Sequence, residues 1–255
     1  MSFEILANFR DLGNYKNKDG LKIKSKKLLR SGELYNISEN DINLLENEYN
    51  LQKIIDLRTD REVNDYPSVV IPNMEYIRLN IFSVIEDENS FSKKEMTEAY
   101  DKSNPQEKLK MGYYLLVNNK NANKCFSEFL NIISENETGS VLWHCFAGKD
   151  RTGFATFLVL YILGCSEDVI YEDYLLTNEM RKTHNEKLIE KAISEGADNE
   201  KVESMKIMLN VHKDYLDYAI SEIENNFGST EDYILNVLNF SKEKQELLRE
   251  KYLEK

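Results

Sequence analysis

The strongest constraint on the fold is a junction in the middle of the chain. Val141-Leu142-Trp143 reads as a short apolar strand that runs directly into His144-Cys145-Phe146-Ala147-Gly148-Lys149-Asp150-Arg151-Thr152-Gly153, and an apolar stretch from Phe154 to Cys165 follows. That stretch is interrupted by Thr156 and falls far short of the roughly 20 residues needed to cross a bilayer, so it reads as a buried helix. Strand, loop and buried helix in this order belong to an α/β layer structure.

The rest of the chain agrees. Lys27-Leu28-Leu29-Arg30, Lys53-Ile54-Ile55-Asp56-Leu57 and Tyr76-Ile77-Arg78-Leu79 read as strands, and Ser38-Glu39-Asn40-Asp41 is a capping pattern ahead of Ile42, Leu44, Leu45 and Tyr49 at helical spacing. From Ser83 to Lys110 the chain turns charged and small. That composition suits a lid insertion or a solvated helix with loop ends. Helical spacing resumes with Tyr113, Tyr114 and Val117, then Phe126, Phe129, Leu130 and Ile133, and everything beyond Gly164 looks helical. The expected fold class is α/β, a central mixed sheet flanked by helices with a helical C-terminal half. No Pro, Gly or Ser linker and no repeat divides the chain, so residues 1–255 are expected to form one domain.

Composition narrows the partners. With 41% hydrophobic and 11% aromatic residues, 255 residues can bury a large core. Acidic side chains outnumber basic ones 45 to 33, a net charge of -12. No basic block exists to bind nucleic acid or an anionic membrane. The three cysteines, Cys125, Cys145 and Cys165, do not form a disulfide framework and suggest a reducing compartment. The start, Met1-Ser2-Phe3-Glu4-Ile5, has neither the basic nor the apolar region of a secretion signal, so a cytoplasmic location is expected. Gly148-Lys149 is followed by Asp150, and Trp143 stands where a nucleotide-binding loop needs its first glycine.

The loop itself points to phosphate chemistry. Five residues separate Cys145 from Arg151, enough for the backbone to curl so that the N–H groups of Phe146, Ala147, Gly148 and Lys149 face inward at the positive end of the next helix. Such a nest holds a phosphate, and the planar fork of Arg151 can grip two of its oxygens. The same field favours the thiolate of Cys145, which is placed for in-line attack on phosphorus. Asp150 can protonate the leaving oxygen and then take a proton from the attacking water. Thr152 can donate to the thiolate, His144 can orient the loop through its carbonyls, and Gly148 and Gly153 allow tight turning and close approach.

Other readings of the same residues stay open. Cys145 is a small buried hydrophobe and Arg151 a surface charge in the blandest of them. A cysteine hydrolase would use His184 or His212 as base, since pairing in space is not visible in sequence. A phosphate-binding module without turnover is a third. Zinc is disfavoured because adjacent His144 and Cys145 do not have chelating spacing. Cys125 and Cys165 read as core residues.

The loop from His144 to Gly153 resembles the active-site loop of the cysteine-based protein tyrosine phosphatases, in particular a bacterial branch of that family. Asn8-Phe9-Arg10-Asp11-Leu12-Gly13, Arg30-Ser31-Gly32-Glu33-Leu34, Asp56-Leu57-Arg58-Thr59-Asp60-Arg61-Glu62, Asp173-Tyr174-Leu175-Leu176-Thr177-Asn178 and Phe227-Gly228-Ser229 are similar to segments of the same branch. The resemblance runs from about residue 7 to the end and is weakest between Ser83 and Lys110. It implies hydrolysis of phosphate monoesters on proteins without metal or cofactor, with Asp150 as proton donor. Asp87 and Asp101 are the fallback donors, because other tyrosine phosphatases carry theirs on a separate upstream loop. It also implies activity toward phosphoinositides as well as phosphotyrosine, phosphoserine or phosphothreonine, with Lys149 as an added cation. Arg10, Asp11, Asp56 and Arg58 would brace the loop as ion pairs. The acidic surface repels anions on average, so attraction for phosphate is left to the loop, Arg151 and Lys149. That lowers the expectation for a lipid substrate in an acidic membrane.

Overall fold

The computed structural model describes residues 3–83 and 103–255. Its elements, in chain order, begin with β1 (Arg10–Asp11), β2 (Lys22–Ile23), β3 (Leu28–Ser31), α1 (Glu39–Asn43, continued by a wider π-type turn over Leu44–Glu48), β4 (Leu51–Asp56), α2 (Asp60–Asp65) and β5 (Glu75–Arg78). They continue with α3 (Pro105–Asn118), α4 (Lys120–Glu135), β6 (Ser140–His144), α5 (Asp150–Ile162), α6 (Glu167–Ser194), α7 (Asn199–Leu209) and α8 (Lys213–Phe227). A short turn α9 (Thr230–Asp232), a second π-type turn (Tyr233–Val237), α10 (Lys242–Tyr252) and β7 (Leu253–Glu254) complete the chain.

Five strands form one sheet in the order β1-β3-β6-β4-β5. β3, β6, β4 and β5 run parallel and β1 is antiparallel at the edge, so the sheet is mixed as expected. Alternation sorts its side chains into two cores. Leu28, Ile55, Val141 and Trp143 face one cluster, and Leu29, Ile54 and Leu142 face the other. The first cluster includes α5, whose residues Phe154, Ala155, Leu158, Val159 and Ile162 are fully buried. A helix apolar on all sides must be covered on all sides. The indole N–H of Trp143 is satisfied inside this core by the Thr156 hydroxyl at 3.1 Å.

The three expected strands are present, shifted by one or two residues at their ends. Ser38 caps α1 by accepting from the backbone N–H of Asp41 at 3.1 Å. Most of the expected lid, residues 84–102, lies outside the described residues, and so do Asp87 and Asp101. Its far end belongs to α3, which Asn104 opens with a capping box to Glu107. The helical C-terminal half also contains a strand that periodicity did not predict: β7 pairs antiparallel with β2, Ile23 opposite Leu253. Among the described residues no helix is long and apolar enough to cross a membrane.

Candidate active site

Register assembles the site. Ser31 at the end of β3 and Asp56 at the end of β4 both pair with His144 at the end of β6. The carboxyl ends of three parallel strands therefore lie abreast, where open α/β sheets bind ligands. Cys145, buried with a free thiol, leaves the central strand there.

Each carbonyl of the loop that follows is engaged by a partner. His144 Nδ1 donates to the carbonyl of Cys145 at 3.1 Å, and the Glu33 N–H to that of Phe146 at 2.9 Å. The Ala147 carbonyl accepts from Asn8 Nδ2 and Arg181 Nη1, each at 3.1 Å. The Gly148 carbonyl accepts from Asn8 Nδ2 and Arg30 Nη2, each at 2.8 Å. Peptide planarity turns each N–H opposite to the carbonyl of its own unit. Tethering these four carbonyls thus sets the N–H groups of Phe146, Ala147, Gly148 and Lys149 toward the other side, as an anion nest requires. Gly148 has φ +66°, and a Cβ there would lie 2.3 Å from the Ser31 carbonyl oxygen. At Gly153, by contrast, the missing side chain admits the ring of Tyr174, which a Cβ would meet at 3.1 Å.

The tethers are themselves anchored by α6. Asp173, Thr177 and Arg181 follow one another at i, i+4 and i+8 on one face and are all buried. Asp173 takes Arg10 Nε on one carboxylate oxygen at 3.0 Å and Arg30 Nη1 on the other. Arg10 also donates to Thr177 Oγ1 at 3.1 Å and to the side chain of Asn8. Burial, and then the neighbouring Arg30, bring the Arg10 guanidinium down to about 10. Two guanidiniums sharing one carboxylate leave positive charge behind the loop.

Arg151, on the first turn of α5, does not stand free. Its Nη1 and Nη2 donate to Glu62 Oε2 and Oε1, both at 2.6 Å, and Nη1 reaches the Leu57 carbonyl at 3.3 Å. Burial opposes the Arg151 charge, but Cys145 and Glu62 outweigh it and raise its pKa. Glu62 is fixed in turn by the Thr59 N–H and hydroxyl, each at 2.8 Å, in the capping box of α2. Sequence reading did not single out Glu62 as a site residue. The signal was present in Thr59-Asp60-Arg61-Glu62, a capping box directly after a strand. Asp173 lay in a segment that resembles the phosphatase branch but was not singled out, and Arg181 was not noticed; their signal is a polar stripe with Thr177 at helical spacing.

The remaining expected residues divide. His144 is fully buried, and burial pushes its imidazole below the ordinary value despite Asp56. Its Nε2 lies 3.8 Å from Asp56 Oδ2 and has no hydrogen-bond partner among the described residues. Asp56 accepts from Arg58 through Nε at 3.0 Å and Nη2 at 2.8 Å, and from the Tyr76 hydroxyl. Burial works against its charge, but His144 and Arg58 hold it well below the usual carboxylate range. Arg58 spans to the Tyr66 carbonyl and the Ser68 hydroxyl, each at 2.7 Å. Asp56 and Arg58 thus brace the end of β4 under His144. Asp11, next to Arg10 on β1 and so turned to the opposite face, accepts instead from the backbone N–H groups of Gly13 at 2.9 Å and Lys26 at 2.7 Å.

Lys149 is held within the protein. Its buried ammonium donates to the carbonyls of Met208 at 2.8 Å and Asn210 at 3.2 Å, and lies 3.3 Å from Asp150 Oδ2. The unsatisfied carbonyls at the end of α7 therefore hold the cation expected to meet substrate. Asp150 opens α5 and accepts on Oδ1 from the Tyr113 hydroxyl at 2.8 Å. The Thr152 hydroxyl is buried without a hydrogen-bond partner among the described residues.

The aromatic residues around the loop also divide. Tyr113 is buried and Tyr114 exposed. Phe146 meets Tyr66 edge-on at 5.1 Å, and Tyr66 meets Tyr35 at 5.4 Å. His184 lines a recess of about 220 Å³ with Glu33, Phe146 and Arg181. His212 caps α8 and faces Asp214 at 3.2 Å. Burial pushes Cys125 and Cys165 each up to about 11, which suits inert core thiols.

Comparison with known proteins gives three kinds of match. A family model described as "Tyrosine phosphatase family" matches residues 1–254. A Cupriavidus necator protein bearing the name "Putative tyrosine-protein phosphatase" is 26% identical over 245 residues, 93% of this chain and 84% of that one. The Mycobacterium tuberculosis "Triple specificity protein phosphatase PtpB" is 37% identical over 102 residues, 37% of each chain. Among solved structures, TpbA of P. aeruginosa is similar at 17% identity with a TM-score of 0.34, covering 74% of this chain and 91% of that one.

Proposed function

Because this chain belongs to the tyrosine phosphatase family and is a hydrolase of the protein-tyrosine-phosphatase type, we propose that it hydrolyses phosphotyrosyl proteins through a cysteinyl-phosphate intermediate. The observation that carries this reading is the loop over Cys145, whose four carbonyls are tethered outward by Asn8, Arg30, Glu33, Arg181 and His144. A phosphoryl group on the facing N–H groups sits above the thiolate.

In the first step the Cys145 sulfur bonds to phosphorus as the bond to the tyrosyl oxygen breaks, and Asp150 gives that oxygen its proton. In the second, water attacks phosphorus, Asp150 takes the water's proton, and the sulfur–phosphorus bond breaks to release phosphate and restore the thiolate. Glu62 holds the Nη1–Nη2 end of Arg151, which leaves the Nε edge of the fork for equatorial oxygens of the transition state. The carbonyl contacts of Lys149 speak against a second phosphate beside the first, so phosphoinositides rank below phosphotyrosine here. The breadth in the name of the mycobacterial relative supports phosphoserine and phosphothreonine as lesser substrates.

Purified protein is expected to release phosphate from phosphotyrosine peptide in EDTA, and Cys145→Ser to abolish turnover while retaining peptide binding. Turnover that survives Cys145→Ser sinks the mechanism. Binding without turnover in the parent protein reduces it to a phosphate-binding module.

A further inference from the structure

Asp150 does not act from a bare surface. Its Oδ1 accepts from the Tyr113 hydroxyl at 2.8 Å, and that hydroxyl lies 2.6 Å from the hydroxyl of Tyr174. Its Oδ2 lies 3.3 Å from Lys149 Nζ. Since Tyr113 spends its one proton on Asp150, Tyr174 must be the donor to Tyr113. The order of donors is Tyr174, Tyr113, Asp150. Both tyrosines are buried, on α3 and α6, and Gly153 makes the space that lets the Tyr174 ring approach α5. The Tyr113 ring is stacked on Tyr215 at 5.9 Å, so its hydroxyl is aimed by packing on both sides of the chain.

We infer that Tyr113, backed by Tyr174, is the positioning residue for the acid–base carboxyl of Asp150, an inference that rests on the proposed phosphatase chemistry. Its hydroxyl on Oδ1, with the Lys149 ammonium beside Oδ2, fixes the rotation of the carboxyl group, so that it meets the leaving oxygen in one orientation. In the first step the carboxyl O–H bond breaks as the leaving oxygen gains hydrogen, and in the second the water O–H bond breaks as the carboxyl O–H bond re-forms. Tyr113 keeps its own proton throughout. Burial and the Asp150 charge raise both phenols well above their ordinary value, which keeps them as donors.

The test compares two esters in four variants. Tyr113→Phe keeps the ring and removes the hydroxyl. It is expected to lower kcat on phosphotyrosine peptide, a poor leaving group, about tenfold with KM nearly unchanged, and to affect p-nitrophenyl phosphate much less. Tyr174→Phe, the milder change, is expected to follow the same pattern to a smaller extent. In an Asp150→Asn background Tyr113→Phe is expected to add no further loss. Equal losses on both esters, or an additive loss in the Asp150→Asn background, overturn the inference while Asp150→Asn alone still discriminates the esters. An Asp150→Asn variant that treats both esters alike overturns the acid role of Asp150 and the inference together.

Discussion

Glu62 meets Arg151 end on, with both carboxylate oxygens 2.6 Å from the two terminal guanidinium nitrogens. The same carboxylate closes the capping box of α2 on Thr59, so a helix start and the arginine proposed to bind phosphate share one side chain. Glu62→Gln preserves the capping geometry and removes the charge. The expected result is a loss of about tenfold or more in kcat/KM on aryl phosphates, because the Gln oxygen keeps one bond to Arg151 as a weaker one and its NH2 cannot accept the other, with little change in melting temperature. Steady-state kinetics beside a thermal melt check it. Unaltered kinetics would mean that Arg151 is oriented by the Leu57 carbonyl alone.

Gly148 stands at φ +66° with the Ser31 carbonyl where a Cβ would be. Gly148→Ala combines a backbone conformation that L side chains resist with a clash, for a loss of at least about 2 kcal/mol in the folded loop. The expected variant folds with its loop displaced, no longer binds vanadate, and unfolds at lower urea. Retention of vanadate affinity would show that the loop can curl without this turn.

Asp173 is the one carboxylate on two buried guanidiniums, Arg10 and Arg30. Asp173→Asn leaves their charge uncompensated and is expected to cost about 3 kcal/mol or more. Chemical denaturation measures it. A loss below about 1 kcal/mol would show that water reaches the pair and screens it.

His144 predicts a pH dependence. Burial lowers its pKa in the folded protein from the ordinary 6.5, so below that value the unfolded chain binds the proton more readily. Stability from this group is full above pH 6.5 and is lost as pH falls toward the lower folded value, at up to about 1.4 kcal/mol per pH unit. Urea titrations between pH 7 and 5 should show this slope, and His144→Gln should flatten it. An equally steep variant would assign the slope to other groups.

The loop was legible because its signals are local: strand, nest-forming spacing, candidate nucleophile and arginine all lie between Val141 and Gly153. Strand positions came through for the same reason, since alternation and β-branched runs are local signals. What holds the loop open was not legible. Asn8, Arg30 and Arg181 approach it from far along the chain, and only the β3–β6 register and the α6 packing bring them together. Lys149 shows the same limit. A lysine beside a phosphate nest reads as a phosphate ligand, and its hydrogen bonds to the carbonyls at the end of α7 are invisible until the fold places them together. The strand at Leu253–Glu254 is too short to carry a period.

The outward-held carbonyls have a consequence for how the protein is made. Their tethers reach from Asn8 to Arg181, so a ribosome has to deliver most of the chain before the nest can take shape. A stalled or clipped product that carries Cys145 but stops before α6 lacks Arg181, one of two donors to the Ala147 carbonyl, and Asp173, the carboxylate that anchors Arg10 and Arg30. Under the proposed chemistry, dephosphorylation is therefore expected to begin only once synthesis has passed well beyond Cys145.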